Sequence, residues 1–119
     1  VDTVIAVHGY GRDDHFWDVL LGGRNRDLAL HLAGHLRSEL DERFGVLDDL
    51  DAIPEGLKGQ HARNPVNLPV NAGVQMELPP TIRWNKEAMN WSDHDGTPRA
   101  PQVDALIETL VVAVDAWNA

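Results

Sequence analysis

Thr3 to Val7 reads TVIAV, an unbroken β-branched and apolar run, the pattern of a strand covered on both faces. It ends at His8-Gly9-Tyr10-Gly11. Loops at the carboxyl ends of such strands converge on a crevice, so His8 stands where α/β proteins build their sites. Val19-Leu20-Leu21 predicts a short second strand running into Gly22-Gly23. From Arg26 to Phe44, Leu28, Leu32, Leu36, Leu40 and Phe44 form an i, i+4 stripe beside Ala29 and Ala33. That spacing predicts an amphipathic helix, with Asn25 as N-cap, Asp27 favouring the helix dipole and Gly45 as the C′ residue.

Pro54, Gly56, Gly59, Pro65, Pro69 and Gly73 then punctuate a long irregular stretch, whose length marks a functional loop. Val74-Gln75-Met76-Glu77-Leu78 alternates as a strand that Pro79-Pro80 stops. Its phase turns Glu77 away from the apolar face. Pro101 opens a last helix carrying Val103, Leu106, Ile107, Leu110, Val111, Val114 and Trp117 at helical spacing. A chain of 119 residues, 43% of them hydrophobic, holds one core, so the order of elements predicts a single layered α/β domain over residues 1–119.

The absence of cysteine excludes disulfides, thiolate metal ligands and a cysteine nucleophile. No apolar run reaches the length of a membrane span, and no signal segment opens the chain, so a soluble protein, cytoplasmic or released by lysis, is expected, with no membrane partner. The chain starts without an initiator methionine and directly on a strand, which is the look of a fragment. A formal charge of −9 argues against nucleic acid, whose backbone needs clustered cations. The acids concentrate in residues 39–55 and 84–119, whereas residues 56–83 hold Lys58, Arg63 and Arg83 against Glu77 alone. An anionic ligand is expected near that segment.

His8 suits a metal ligand, since neutral imidazole binds zinc and the neighbouring glycines let other groups approach; the alternative is a histidine that caps a strand. Glu77 is either a carboxylate met by a cation, a metal-bound water or a donor, or an ordinary half-exposed strand residue. His31 and His35 share a helix face, but Leu32 stands where an HExxH motif needs glutamate, so both are read as surface histidines. His15, His61 and His94 fall in predicted loops. Neither Ser38 nor Ser92 lies in a G-x-S-x-G elbow, and no phosphate-binding glycine motif occurs. Trp17, Trp84, Trp91 and Trp117 are read as core or loop anchors.

Taken together, TVIAVHGYG, LLGGRN before an amphipathic helix, HARNPVN and GVQMELPPTIR resemble the poly-γ-glutamate hydrolase family of bacteria and their phages, zinc-dependent relatives of the metallocarboxypeptidases. The resemblance runs from about Val4 to Trp84. It implies a metallocarboxypeptidase-like, three-layer α/β/α fold with a mixed, mostly parallel sheet, of which this chain is the C-terminal part, truncated at its N-terminus. It also implies Zn²⁺ as cofactor, an anionic peptide, poly-γ-glutamate, as substrate, His8 as a zinc ligand and Glu77 as general base. Asn64, Asn67 and Gln75 match positions near the family's site, and with Tyr10 of the His-small-Tyr pattern they are candidates to bind the substrate. Arg12, Arg63 and Arg83 are the candidates to meet substrate carboxylates, since arginine offers a planar two-point fork.

Two departures accompany the match. The resemblance implies that the family's first two zinc ligands, a His and a Glu, precede Val1, so that a missing N-terminal segment is an expected partner. Leu68 follows Asn67 where the family often has arginine. Two other readings stay open: a zinc carboxypeptidase or amidase acting on another peptide, such as a cell-wall γ-glutamyl linkage, and a noncatalytic anion-binding domain.

Overall fold

The computed structural model describes residues 1–118. Strands β1 (Val4–Gly9), β2 (Asp18–Gly22), β3 (Gly45–Leu47) and β4 (Gly73–Leu78) form one sheet in the order β1-β4-β2-β3. β1 runs parallel to β4 and β2 parallel to β3, while β2 and β4 are antiparallel. A two-stranded hairpin, β5 (Trp84–Asn85) and β6 (Asn90–Trp91), follows the short helix α2 (Pro80–Arg83). The longer helices are α1 (Arg26–Glu39) and α3 (Pro101–Trp117). None of the described helices is long and apolar enough to cross a membrane.

α1 and α3 pack together against one face of the sheet. Leu28, Leu32 and Leu36 of α1 meet Val19, Leu21, Val74 and Met76, with Leu106 and Ala113 from α3. The three leucines are at most 1% exposed, and each such burial stabilises the fold by roughly 1.5–3 kcal/mol. On the opposite face Leu20 packs with Tyr10 and Ile53, and Leu47, Leu50 and Leu57 close over them. This second layer is built from the irregular stretch 48–67, folded into 3₁₀ turns at Leu50–Ala52, Glu55–Leu57 and Pro65–Asn67.

α1 starts as its sequence predicts, with the Asn25 side chain accepting from the Leu28 amide at 3.0 Å. It ends sooner. Leu40 turns extended, so Leu40 and Phe44 reach the same core from the following turn, and Gly45 opens β3. Gly45 pairs with Asp18 in the β2–β3 register rather than capping the helix, and a Cβ there would displace the Asp18 carboxylate. The strand β1 also differs from expectation. It lies at the sheet edge, and Val7 is 50% exposed rather than covered on both faces. His31 is not a free surface residue either, for its Nε2 lies 2.7 Å from the Ala113 carbonyl and ties α1 to α3.

The layers are fastened at β2. Arg26 reaches back from α1 and donates to the carbonyls of Leu21 and Gly23, each at 3.0 Å, and to that of Asp48. Gly22 and Gly23 let the strand end run against two backbones at once. Gly23 has φ +85°, and a Cβ there would lie 2.3 Å from the Gly73 carbonyl oxygen, while one on Gly22 would lie 2.2 Å from that of Lys58.

Candidate active site

The parallel register of β1 and β4 sets His8 beside Glu77. Both side chains leave the sheet on the face away from the helices, at the carboxyl ends of their strands, and Nδ1 of His8 lies 3.5 Å from Oε2 of Glu77. The pair is asymmetric. The His8 side chain is 54% exposed and that of Glu77 only 4%, so an imidazole open to solvent stands over a recessed carboxylate.

Glu77 is held from below by a relay of amides. Gln75, two residues back on the same face, donates its Nε2 to Oε2 of Glu77 at 3.1 Å. Asn64 Nδ2 in turn donates to Gln75 Oε1 at 2.9 Å, and its own Oδ1 caps the Pro65–Asn67 turn by accepting from the Val66 amide at 3.1 Å. The relay fixes the direction of each amide: with its oxygen turned to Asn64, Gln75 presents its NH2 to the carboxylate. Gly59, at φ +63°, lets the loop pass over Gln75, where a Cβ would come within 2.9 Å of the side chain. Asn67 secures the same loop, donating to the carbonyls of Gly59 and His61 and accepting from the Arg24 amide.

Burial raises the pKa of Glu77 above its ordinary 4.5, because the charged form loses water; the neighbouring His8 and the Gln75 amide act the other way. A buried carboxylate with raised basicity beside an exposed imidazole has the chemistry of a proton acceptor at a hydrolytic site.

The other candidates are placed differently. Tyr10 is buried, its hydroxyl within bonding distance of the His15 and Asp18 carbonyls at 2.6 and 2.5 Å. Burial and the nearby Asp18 and Asp14 raise its pKa, keeping the phenol protonated. Turned inward, it braces the loop below the site. Arg12 is exposed and pairs with Asp14 at 3.3 Å. Arg63 is exposed beside the relay loop, its backbone amide bonded to His61 Nδ1. Arg83 lies behind the His8-Gly9-Tyr10 turn: a Cβ on Gly9 would come within 2.9 Å of its Nε, and its guanidinium stacks on Trp91 at 4.9 Å. Its Nε is buried without a partner, and its Nη2 reaches the Tyr10 carbonyl only at 3.5 Å.

His15, in the loop after β1, points its Nδ1 at Asp18 Oδ2 at 2.9 Å, an orientation that nothing in its sequence neighbourhood signals. Among the described residues no group of three histidines or carboxylates is arranged to hold a metal. A three-ligand metal site therefore does not close within these residues.

Comparison with solved structures places the architecture. A bacteriophage poly-γ-glutamate hydrolase superposes with a TM-score of 0.74 at 20% identity, covering 98% of this chain and 54% of that one. The zinc-free apo form of YNDL gives 0.69 at 19% identity, covering 95% and 53%. At such identities the likeness concerns the fold, and the chain spans about half the length of each structure. Among curated proteins none matches this sequence. The family model described as poly-gamma-glutamate hydrolase, however, matches residues 1–99, which include β1, the amide relay and β4. With its mixed sheet and its His8–Glu77 pair so placed, the chain belongs to the poly-γ-glutamate hydrolase family.

Proposed function

We propose that this chain carries the general-base half of a site that hydrolyses the γ-glutamyl amide bonds of poly-γ-glutamate. The observation that carries the reading is the contact of His8 with Glu77 at the carboxyl edge of the sheet, in a chain of this family. Glu77 takes the proton of the attacking water at its recessed carboxylate and then delivers it to the leaving amine. Gln75 and Asn64 fix the carboxylate's direction. His8, open to solvent, is the residue that would contribute to holding zinc, with further ligands from outside the described residues. When bound there, the metal supplies polarisation of the scissile carbonyl and a more acidic water. Arg63, exposed at the relay loop, is the arginine best placed to meet carboxylates of an anionic peptide.

The test is turnover of γ-linked polyglutamate by the longest form of the protein that carries this segment. Glu77→Gln keeps the shape and the Gln75 contact but removes basicity, so turnover should fall about 10²–10⁴-fold while substrate binding persists. Unchanged turnover would remove Glu77 from the role.

A further inference from the structure

Phe16 and Trp17 in the loop after β1, Phe44 after α1, and Trp84 and Trp91 of the hairpin surround a cavity of about 780 Å³. Neither His8 nor Glu77 lines it. Arg83, wedged between Gly9 and Trp91, stands between the two places. The size falls within the roughly 300–1,000 Å³ typical of small-molecule pockets. Its aromatic walls are not closed core, since Phe16, Trp17 and Trp91 are 45%, 39% and 37% exposed. Polyglutamate has no apolar body to fill such a space.

The charges around the cavity narrow the ligand class. Its only lining acid, Asp41, already accepts from the backbone amide and the Nε of Arg43, at 2.9 and 3.1 Å. Two of the three lining indoles that could attract a cation already carry guanidinium groups, with Arg43 over Trp17 at 5.4 Å and Arg83 over Trp91 at 4.9 Å. Lys86 is exposed at the wall and takes part in no ion pair among the described residues. A cationic ligand therefore meets two guanidinium groups and an uncompensated lysine, whereas an anion meets a free partner.

We propose that this aromatic cavity is a binding site for a small molecule with a flat apolar body and one anionic group, the body lying among Trp17, Trp84 and Trp91 and the anion at Lys86. The site is independent of the hydrolytic reading of His8 and Glu77.

The experiment titrates the 119-residue chain with anilinonaphthalene sulfonate and with phenylnaphthylamine, the same ring system without the sulfonate, by fluorescence at low salt. One sulfonate probe should bind per chain. Lys86→Glu, at an exposed position, should weaken the sulfonate about fivefold, as expected of one exposed charge contact, and change the neutral amine less than twofold. Ala105→Phe, which fills the cavity from α3, should remove both. Binding that resists Lys86→Glu, or that falls instead with Ile107→Ser or Val111→Ser on the exposed outer face of α3, overturns the proposal. Because Lys86 is not part of the core, its charge reversal decides the matter even if Ala105→Phe folds poorly.

Discussion

Gln75 donates to Glu77 from two residues away on the same strand, and that single amide, at 3.1 Å, is the only side-chain hydrogen bond the recessed carboxylate receives among the described residues. One donor is little compensation for the loss of water. The raised pKa of Glu77 follows from this shortfall.

Stability should therefore respond to pH at this residue. A carboxylate whose pKa rises on folding favours the fold below its unfolded value, ordinarily 4.5, and that contribution is lost as the pH climbs through the elevated folded value. Glu77→Gln should melt above the native chain at neutral pH, and the difference should vanish below pH 4.5. Thermal unfolding of both proteins across this range checks it.

Gln75→Leu breaks the relay at its centre. It leaves the Asn64 amide and Glu77 without their mutual partner, and a buried polar group so stranded costs about 1–3 kcal/mol. Urea unfolding should show that loss. The same substitution should move the acidic limb of activity further upward, because the donor favouring the ionised carboxylate is gone. A lower midpoint with an unmoved limb would make Gln75 a packing residue only.

Zinc should bind this chain weakly. A catalytic zinc normally has three protein ligands, and the described residues offer His8 without two companions. After equilibrium dialysis against ~10 µM zinc, far less than one metal per chain is expected, because an incomplete ligand set lacks the affinity of a closed site. Stoichiometric retention that His8→Ala abolishes would show that two further ligands had been overlooked.

Gly23→Ala should be among the most damaging single changes. The positive φ alone costs a non-glycine residue about 1–3 kcal/mol, and the added methyl collides with the Gly73 carbonyl at the start of β4. Chemical denaturation should register a loss above 2 kcal/mol or so. Gly11→Ala, where a Cβ meets nothing within 4 Å, is the matched control.

Much of this arrangement can be read from the chain, for reasons that are physical. β1 announces itself by an unbroken apolar run and β4 by alternation, and the phase of Val74, Met76 and Leu78 already turns Glu77 to the other side. Asn25 and Pro101 mark their helix starts through local chemistry that tertiary context does not override. The end of α1 is hidden because Leu40 and Phe44 continue the stripe from an irregular turn, and apolar spacing cannot tell a helix from a turn that serves the same core. β3 and the hairpin at residues 84–91 are too short to show a period. The sense of Tyr10 is hidden as well. A tyrosine beside a glycine reads as available, and only the fold reveals that its hydroxyl is spent on two carbonyls below.

The sheet order gives the two partners of the site unequal permanence. β4 is bonded on both sides, by β1 and by β2, whereas β1 has β4 alone and half of Val7 in solvent. Fraying of one margin would carry His8 away while Glu77, Gln75 and Asn64 stayed assembled on the interior strand. Amide protons of β1 should accordingly exchange before those of β4, and the His8–Glu77 contact should be lost in a local opening that leaves the rest of the molecule folded. Whatever covers that margin would hold His8 beside Glu77 without touching the interior strand.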